Sequence, residues 1–430
     1  MKLNVAVIGS GGREDALCWK ISQSNLLNKL YAIPGNPGTL RFAENRYIDP
    51  LNFEAIKEFS LDKKIDLVIV GPEVPLVNGI KDELENIGIN VFGPGKSAAE
   101  IEGSKIFAKE LMKKYKIPTA EYSVFDFNQK IEVAKHLSSI KYPTVIKADG
   151  LAAGKGVTIC NDYETAIETT EQLFTERKFG TAGEKIVIEE FLEGEEVSVF
   201  VITDGENFVL LNPAQDYKKI GDGDTGKNTG GMGAYSFESI LAPHQKKEII
   251  DNIINPTLSG MKLEGRKYTG CLYCGLIITK DGIKVIEFNC RFGDPETQAV
   301  LQTLDSDLLE IIYRSTRNEL DQIKVKNSGS AICLVLASQG YPDEFEKGFE
   351  ISGIEDVERI KNVNVFHAGT KLSAGRLVTN GGRVINITSS SKNESFEQLI
   401  STVYNAAAQI DFRNKYFRSD IGNKGIKKFG

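Results

Sequence analysis

The sequence has no excess of positive charge. It contains 52 Lys and Arg residues against 59 Asp and Glu residues, which gives a formal net charge of -7 at pH 7. Because a phosphate backbone is bound by a basic face, a nucleic-acid partner is not expected. The lysines at the carboxyl end (Lys424, Lys427 and Lys428) are too few to change this, and we predict that they form a solvated end.

Long apolar runs are missing as well. No stretch approaches the roughly 20 consecutive apolar residues of a membrane-spanning helix. The apolar residues 3–8 run directly into a glycine turn without a cleavage-type segment, so they indicate a buried first strand and not a signal peptide. The sequence therefore predicts a cytoplasmic protein that does not engage a membrane.

Cysteine and histidine are scarce, with six and three residues respectively. The six cysteines are consistent with buried, reduced thiols in the cytosol. Cys271 and Cys274 have C-x-x-C spacing, but they lie in an apolar segment that is typical of a strand, where residues three apart point to opposite faces. No second C-x-x-C pair occurs in the sequence, so a zinc or redox site is not expected here.

The first hundred residues alternate short apolar strands with helical stretches, and each strand ends in a glycine or proline turn. The predicted strands are Val5–Ile8, Leu30–Ile33, Leu67–Val70 and Asn90–Phe92, and the predicted helices are Arg13–Gln23, Phe53–Asp62 and Val77–Ile87. This order predicts an α/β domain over residues 1–103, with a doubly wound parallel sheet and ligands at the carboxyl ends of its strands.

The remaining sequence predicts two further units, in agreement with a length of 430 residues. Residues 104–327 are predicted to form a mixed α/β domain, in which about 121–192 make a smaller subdomain around a glycine-rich loop. Residues 328–430 are predicted to form a small α+β domain with a late helix at Phe396–Ala408.

The first glycine loop, residues 9–12, follows the first strand as a dinucleotide fingerprint would. The fingerprint needs a small residue where Glu14 stands and an acidic residue at the end of the second strand, and this sequence has neither. A nicotinamide cofactor is therefore not favoured. The loop is either a phosphate site at a helix N-terminus or only a tight strand-to-helix turn.

Two later glycine loops resemble a P-loop and fail its pattern. Residues 150–156 are one residue short and lack the metal-binding Ser or Thr, and residues 221–228 end in Asn228. A hairpin at 150–156 with Lys155 beside it is suited to close over polyphosphate as a lid. The alternative is an exposed turn with solvated lysines.

The segment 285–292 carries the strongest chemical signal. Alternation along a strand places Glu287, Asn289 and Arg291 on one face. The opposite face, which we predict to be buried, is made of Ile286, Phe288, Cys290 and Phe292. Carboxylate and amide oxygens suit Mg²⁺ shared with phosphates, and an arginine beside them can hold a carboxylate or a transferring phosphoryl group. A solvent-facing edge strand is the less favoured interpretation, because an acidic turn at 293–296 follows directly.

Another strand, residues 187–192, leads into an acidic turn. Extended backbone leaving a strand can pair with adenine, and a nearby carboxylate such as Glu196 can accept ribose hydroxyls. An acidic surface loop is the alternative.

Taken in order, these and other motifs resemble the phosphoribosylamine–glycine ligase family of the ATP-grasp superfamily. The resemblance spans essentially the whole chain. The matching motifs are residues 9–14, 34–38, 71–76, 102–105, 146–157, 228–235, 287–298, 366–370 and 379–384.

The resemblance implies a central ATP-grasp domain with a mobile lid subdomain, and a ligation in purine biosynthesis. Glycine, 5-phosphoribosylamine and ATP would give glycinamide ribonucleotide, ADP and phosphate through glycyl phosphate. ATP would be a co-substrate, with Mg²⁺ or Mn²⁺ as the metal. The small-molecule substrates would be its partners, and the chain would be a monomer or a weak homodimer. The rivals are another ATP-grasp ligase or carboxylase of purine metabolism and a non-catalytic nucleotide-binding regulator.

The resemblance also implies roles for individual residues. Lys105, Lys147 and Arg291 would be catalytic, and Glu287 and Asn289 would bind the metal. The residues implied to bind ATP are Lys105, Lys147, Gly154, Lys155, Gly156, Glu189, Glu190, Phe191, Leu192 and Glu196. Those implied to bind the other substrates are Gly11, Gly12, Arg13, Gly35, Asn36, Pro37, Gly38, Glu73, Asp216, Gly230, Gly231, Met232, Gly233, Arg291 and Asp294.

Three positions depart from the family pattern. Asp15 stands where His is usual, and an acid there suits the helix dipole but would repel a nearby substrate phosphate. Lys219 stands where Arg is commoner, so a bidentate contact would be lost. Lys227 replaces a usual proline, which should affect only the stiffness of its loop.

Overall fold

The computed structural model describes residues 2–151, 156–175 and 184–429. Within these ranges, no helix combines the length and the apolar character that a membrane crossing requires.

The amino-terminal region is a parallel sheet of five strands in the order β3-β2-β1-β4-β5, covered by helices. Its elements are β1 (Leu3–Gly9), α1 (Gly12–Ile21), β2 (Leu27–Pro34), β3 (Glu44–Asn45), α2 (Phe53–Asp62), β4 (Leu67–Val70), α3 (Glu73–Val77), α4 (Ile80–Glu85), β5 (Asn90–Phe92) and α5 (Lys96–Gly103). The predicted doubly wound sheet is confirmed. The single helix predicted over Val77–Ile87 is wrong, because Gly79 has a φ of 94° and separates α3 from α4.

A small antiparallel sheet with its own apolar core follows. Its strand order is β6-β9-β7-β8, and Val133, Ile146 and Ile186 are among the buried residues of its core. The elements of this region are α6 (Lys105–Lys114), β6 (Tyr122–Asp126), α7 (Lys130–Leu137), β7 (Thr144–Ala148), β8 (Val157–Cys160), α8 (Tyr163–Thr175) and β9 (Lys185–Glu190).

The largest sheet begins with β10 (Glu195–Thr203) and ends near the carboxyl terminus. Its elements and their neighbours up to residue 315 are β11 (Phe208–Leu210), β12 (Ala214–Asp216), β13 (Lys219–Gly221), β14 (Thr225–Asn228), β15 (Gly233–Phe237), α9 (Pro243–Ile249), α10 (Asn255–Leu263), β16 (Gly270–Thr279), β17 (Gly282–Asn289), α11 (Glu296–Thr303) and α12 (Leu308–Ser315). The later elements are β18 (Ser330–Ser338), α13 (Ile354–Glu358), β19 (Val363–His367), β20 (Thr370–Ser373), β21 (Arg376–Thr379), β22 (Arg383–Ser391), α14 (Phe396–Gln409), β23 (Lys415–Tyr416) and α15 (Asn423–Phe429).

One ten-stranded sheet joins these two stretches of chain. Its main order is β17-β16-β10-β12-β15-β18-β22-β19, with β11 beside β10 and β23 beside β18. Because β15 pairs with β18, the sheet continues across residues 327 and 328. The pairs β13–β14 and β20–β21 are separate two-stranded hairpins.

The large sheet has an apolar core on each face, and the two cysteines of the C-x-x-C motif lie in different cores. Cys271 packs in the core that contains Phe200, and Cys274 packs in the core that contains Leu276. The prediction that they point to opposite faces of one strand is therefore confirmed. Burial raises the pKa of both thiols, so these side chains are neutral apolar groups at physiological pH.

Candidate active site

A cleft of about 1240 Å³ lies where the amino-terminal region, the small sheet and the large sheet meet. The predicted residues that line it are Arg13, Glu73, Lys105, Lys147, Gly156, Glu189, Glu190, Phe191, Leu192, Glu196, Asp216, Gly230, Glu287, Asn289, Arg291 and Asp294. Residues 189–192 also line a second cavity of about 850 Å³. The fold therefore gathers most of the predicted site from segments that are far apart in sequence.

Glu287 and Asn289, the predicted metal ligands, lie at the end of β17. The side-chain nitrogen of Asn289 donates to Glu102 Oε1 (3.1 Å) and to the Phe288 carbonyl (3.2 Å). The side-chain oxygen of Asn289 takes part in neither of these hydrogen bonds. In the part of the chain that the structure describes, Glu287 has no hydrogen-bond or ion-pair partner. These two hard oxygen donors are the right chemistry for Mg²⁺.

No group of three or more His, Cys, Asp or Glu side chains is placed to hold a metal ion within the described residues. A cation at Glu287 and Asn289 would therefore need further oxygen ligands. The oxygens of a bound polyphosphate are the usual source of such ligands in magnesium sites of this kind.

The strand that carries these ligands is bulged. The register of β17 against β16 shifts between Gly275 and Leu276, which leaves Ile286 as an extra residue. The prediction that Ile286 faces the core is wrong, since it is only half-buried and lines the cleft. The other predicted core residues of this segment, Phe288, Cys290 and Phe292, are 1–2% exposed, as expected.

A buried network of two lysines and one carboxylate forms the floor of the cleft. Lys147 Nζ lies 3.0 Å from Glu189, and Lys109 Nζ lies 3.0 Å from Glu189 Oε2 and donates to Thr119 Oγ1 (2.8 Å). Burial lowers the pKa of Lys109 to about 8, although Glu189 opposes the shift. Both lysines therefore contact the side chain of Glu189, and the backbone nitrogen of the next residue, Glu190, donates to the Glu121 carbonyl (3.0 Å).

Sequence reasoning missed Lys109. The signal was available, because Lys109 is four residues after Lys105 on α6 and therefore shares its helix face. Lys105 itself donates to the Gly150 carbonyl (2.8 Å), and burial lowers its pKa. The same helix begins against Asp149, whose Oδ1 accepts from Ile106 N (3.1 Å). These bonds join α6 to the start of the predicted lid hairpin.

The predicted lid hairpin at 150–156 is only partly covered by the structure. Gly154 and Lys155 lie outside the described residues. The two glycines at its ends, Gly150 and Gly156, line the cleft.

Arg291 bridges the large sheet to the amino-terminal region. Its Nε donates to Glu73 Oε2 (3.1 Å), a second guanidinium nitrogen lies 3.2 Å from Glu102 Oε1, and the third donates to the Phe292 carbonyl (3.1 Å). Burial raises the pKa of Glu102 and works in the same direction on Glu73. For Glu73 the charges of Arg291 and Arg13 outweigh burial, so its pKa is lowered. Arg291 thus stays charged and fixed at the junction of two regions.

Acidic side chains of the large sheet line the opposite side of the cleft. Burial raises the pKa of Asp216 to about 7, against the lowering effect of Lys218. Lys218 donates to Glu196 Oε2 (2.7 Å), and its charge lowers the pKa of Glu196. Glu296, which sequence reasoning left out of the site, lines the cleft and accepts from Tyr273 Oη at 3.1 Å.

The predicted glycine loops of the amino-terminal region do not line the cleft. The backbone nitrogen of Gly11 donates to Glu14 Oε2 (2.6 Å), so this loop holds a carboxylate of its own chain. Gly12 meets the large sheet closely, since a Cβ there would lie 2.0 Å from Asn386 Nδ2. The other predicted residues outside the lining are Gly35, Asn36, Pro37 and Gly38.

Asn36 and Asp15 both contact the strand end at His367. Asn36 Nδ2 donates to the His367 carbonyl (2.7 Å) and to the Ser10 carbonyl (2.9 Å). Asp15 Oδ2 accepts from His367 N (2.7 Å) and from Arg41 (3.0 Å). Burial raises the pKa of Asp15 to about 6, although Arg41 lowers it. Asp15 is not among the residues that line the cleft, so it does not face a substrate phosphate there.

The loop at 230–233 is divided between cleft and core. Gly230 lines the cleft, whereas Met232 is fully buried and its nitrogen donates to the Tyr217 carbonyl (2.8 Å). Gly231 and Gly233 are buried and are not part of the lining. The structure therefore places Gly231, Met232 and Gly233 away from the cleft surface.

The carboxyl-terminal region contributes cations that sequence reasoning did not assign. Arg383 donates to the Asp294 carbonyl (2.7 Å) and lines the cleft. Lys424 and Lys427 are exposed, as the predicted solvated end requires, but all three lysines of this end also line the cleft from α15. Lys428 Nζ lies 2.6 Å from Glu195 Oε1.

Comparison with protein-family models shows three consecutive matches. Residues 3–102 match the phosphoribosylglycinamide synthetase N domain, residues 103–297 match the ATP-grasp (A) domain of the same family, and residues 331–424 match its C domain. ATP-grasp enzymes use ATP together with a divalent metal ion.

Curated relatives and solved structures agree with these matches. The phosphoribosylamine–glycine ligase of Caldanaerobacter subterraneus subsp. tengcongensis is 46% identical over 420 residues, which cover 97% of this chain and 99% of the relative. That of Haemophilus influenzae is 43% identical over 430 residues, covering 99% of each chain. The crystal structure of the Thermotoga maritima phosphoribosylamine–glycine ligase has a TM-score of 0.85 at 34% identity, covering 97% of this chain and 100% of that one.

The biotin carboxylase domain of Hydrogenobacter thermophilus 2-oxoglutarate carboxylase has a TM-score of 0.72 at 16% identity, and covers 100% of this chain and 99% of that domain. At that identity the likeness concerns the fold alone.

Proposed function

The chain belongs to the phosphoribosylglycinamide synthetase family, and from that premise we propose how its cleft performs the family's reaction. The enzyme is an ATP-dependent ligase that joins glycine to 5-phosphoribosylamine in purine biosynthesis. The observation that supports this assignment best is the meeting of Lys105, Lys147, Arg291 and the Glu287–Asn289 pair in one cleft.

The reaction proceeds by activation of a carboxylate, which is by itself a poor electrophile. A carboxylate oxygen of glycine attacks the γ-phosphorus of ATP, and ADP leaves. The amine of 5-phosphoribosylamine then attacks the carbonyl carbon of glycyl phosphate, phosphate leaves with the bonding electron pair, and the nitrogen loses a proton. The products are glycinamide ribonucleotide, ADP and phosphate.

Cations of the cleft bring the two anions together. Lys105 and Lys147 contact the phosphates of ATP, and Arg291 orients the carboxylate and the transferring phosphoryl group. Glu287 and Asn289 hold Mg²⁺ or Mn²⁺, which supplies charge neutralisation at the phosphates. The neighbouring ion pairs with Glu189 and with Glu73 keep Lys147 and Arg291 in fixed positions.

The remaining residues position the substrates. The backbone of 190–192 holds adenine, and Glu196 lies on the ribose. Asp216 and Gly230 line the side of glycine and the amine, and Arg13, Glu73 and Asp294 line the side of the phosphoribosyl group. The segment 150–156, predicted as the lid, is assigned to exclude water from the acyl phosphate, which hydrolyses readily.

We further propose the division and context of the chain. The amino-terminal domain is 1–103, the ATP-grasp domain is 104–327 with a lid subdomain at about 121–192, and the carboxyl-terminal domain is 328–430. The enzyme acts in the cytoplasm as a monomer or a weak homodimer, with small molecules as its partners.

The first experiment measures ADP release with glycine and with 5-phosphoribosylamine generated from ribose 5-phosphate and ammonia, each component being omitted in turn. We expect release to require both substrates and a divalent cation. ADP release that needs glycine but not the amine would support the acyl phosphate and place the acceptor in question. Release that requires bicarbonate in place of glycine would refute the ligase assignment.

A further inference from the structure

Arg418 is a buried cation outside the cleft lining. Its side chain has no exposed surface. Two of its guanidinium nitrogens donate to the two oxygens of Asp420 (2.7 and 2.6 Å), and the third donates to the Lys219 carbonyl (2.9 Å) and to Asp224 Oδ1 (3.0 Å). All three nitrogens are therefore used, and they join the segment after β23 to the hairpin β13–β14.

The backbone makes the same connection. We call residues 416–424 the carboxyl-terminal clasp. Its Ser419 nitrogen donates to Asp222 Oδ1 (2.9 Å), and the hairpin's Gly223 nitrogen donates to Asp420 Oδ2 (2.9 Å). The clasp and the turn between β13 and β14 thus each donate a backbone hydrogen bond to a carboxylate of the other.

Outside the clasp, the hairpin has an exposed ion pair between Lys227 and Asp343 (2.7 Å), which contributes little to stability. Its strands have three and four residues, every residue of β14 is exposed, and neither strand pairs with another strand of the described chain. Two-stranded hairpins of this size are marginal on their own. Asp224 also has a positive φ of 57°, which most residues avoid. The clasp therefore supplies the free energy that keeps the hairpin in one place.

The anchored hairpin is flanked by cleft residues on both sides. Asp216 and Lys218 directly precede it, and Asn228 and Gly230 lie at its end. Lys218 directly precedes β13 and Asn228 is the last residue of β14, so a shift of the hairpin would move both of them relative to Asp216, which belongs to β12 of the large sheet. The residues assigned to the ATP phosphates, by contrast, are on α6 and β7.

We propose that Arg418 is a positioning residue for the ligase, which holds the hairpin so that its flanking residues face glycine and 5-phosphoribosylamine. The identity of these two substrates rests on the function proposed above. Arg418 contacts neither of them; it acts through Asp224 and the Lys219 carbonyl. Its loss should therefore weaken the binding of glycine and the amine more than the binding of ATP, whose phosphates are assigned to Lys105 on α6 and Lys147 on β7.

The test compares Arg418→Lys with Asp420→Asn and with Arg376→Lys as the control. Lysine keeps the charge but cannot make the forked contact with Asp420 and reach the hairpin as well. Asp420→Asn weakens the same clasp from a residue that does not line the cleft. Arg376 forms an exposed ion pair with Glu350, so its replacement should change nothing.

For Arg418→Lys we expect the KM of glycine to rise about tenfold or more and the KM of ATP to stay within about twofold. Hydrogen exchange at the amides of 219–228 should become faster, while exchange in β10 and β16 stays as slow as in the unaltered enzyme. Asp420→Asn should show the same pattern with a smaller amplitude, and it decides the matter alone if Arg418→Lys does not fold.

Two outcomes would overturn the inference. One is an unchanged KM for glycine together with unchanged exchange in the hairpin. The other is a fall in kcat with unaltered KM values and faster exchange throughout the chain, which would make Arg418 a general stabilising residue. If the unaltered enzyme has no glycine-dependent activity, the proposed function fails; the exchange pattern of the hairpin then decides whether Arg418 positions it.

Discussion

At the scale of single residues, the cleft contains carboxylates that are paired with cations and a carboxylate, Glu287, that is not. Glu189 lies between two lysines, and Glu73 is paired with Arg291. Glu287 has no such partner within residues 2–151, 156–175 and 184–429. An unpaired carboxylate next to an amide oxygen is suited to a cation that arrives with ATP.

Replacing Glu287 with Gln tests this contrast. The amide keeps the shape but loses the negative charge, so we expect the Mg²⁺ concentration for half-maximal activity to rise by about tenfold or more at saturating ATP. Glu206→Gln, which removes an exposed partner of Lys262, is the control and should leave the titration unchanged. An unaltered Mg²⁺ titration in Glu287→Gln would place the metal elsewhere.

A second prediction at this scale concerns Asp15 and the pH dependence of the free energy of unfolding. Its pKa is about 6 in the folded enzyme against an ordinary 3.8, so the folded state holds the proton more tightly. That stabilisation is complete below the ordinary value and is lost as pH rises through about 6. The free energy of unfolding of Asp15→Asn, relative to the unaltered enzyme, should therefore rise between about pH 4 and pH 7, by roughly 3 kcal/mol at most.

The measurement for Asp15 is urea unfolding at several pH values across that window. Burial and the charge of Arg41 lower the pKa of His367 to about 3 in the folded enzyme, so within this window His367 titrates in the unfolded chain. It is present in both proteins, so its contribution cancels in the difference. Asp281→Asn, at an exposed carboxylate, is the control. Parallel stability profiles for Asp15→Asn and the unaltered enzyme would contradict the prediction.

At the scale of elements, helix α12 shows how one residue can begin a helix and dock it. Asp307 Oδ1 accepts from Leu309 N (2.9 Å) and Glu310 N (3.2 Å), and Oδ2 accepts from Ser24 Oγ (2.6 Å). The first two bonds satisfy free N–H groups of the first turn. The third links the helix to the amino-terminal region, in the loop that follows α1.

Asp307→Ala should therefore destabilise the enzyme without changing its chemistry. We expect the free energy of unfolding to fall by about 1–2 kcal/mol, the usual effect of losing a helix cap. The KM values of all three substrates should stay the same, because Asp307 does not line the cleft. Asp321→Ala, at an exposed acid, is the matched control, and an equal effect of the two variants would show that the cap contributes nothing.

At the scale of the whole molecule, the amino-terminal region and the last strands meet through buried polar contacts. Asn36 joins the second strand's loop to His367, 331 residues away. Asp15 contacts the same residue from α1. The position of Arg13 and Glu73 in the cleft depends on this junction, because they belong to the same sheet-and-helix unit.

Asn36→Asp tests the junction with an isosteric change. The side chain would then present an oxygen, in place of a donor, to the carbonyls of Ser10 and His367, and a buried charge would be left unpaired. We expect the free energy of unfolding to fall by about 3 kcal/mol or more. Asn52→Asp is the control, because Asn52 caps α2 by accepting from Ala55 N, and an aspartate does this equally well. Equal thermal stability of the two variants would refute a structural role for Asn36.

The sequence by itself determined the elements and most of the cleft. Alternation and glycine turns predicted the parallel sheet, because these patterns act over a few residues. The pair Glu287 and Asn289 was visible for the same reason, since two residues of spacing fix one face of a strand. The exceptions were local as well: a positive φ at Gly79 divided a predicted helix, and a bulge moved Ile286 into the cleft.

Only the tertiary structure decided which charges pair. Arg291 pairs with Glu73, which is 218 residues away in the sequence, and Arg418 pairs with Asp224, which is 194 residues away. Each such pair forms because the low dielectric of the interior makes an isolated charge costly, and its partner is whichever side chain the fold brings close. The sequence does not encode that closeness in any local pattern, so the roles of Arg383 and Arg418 became visible only in three dimensions.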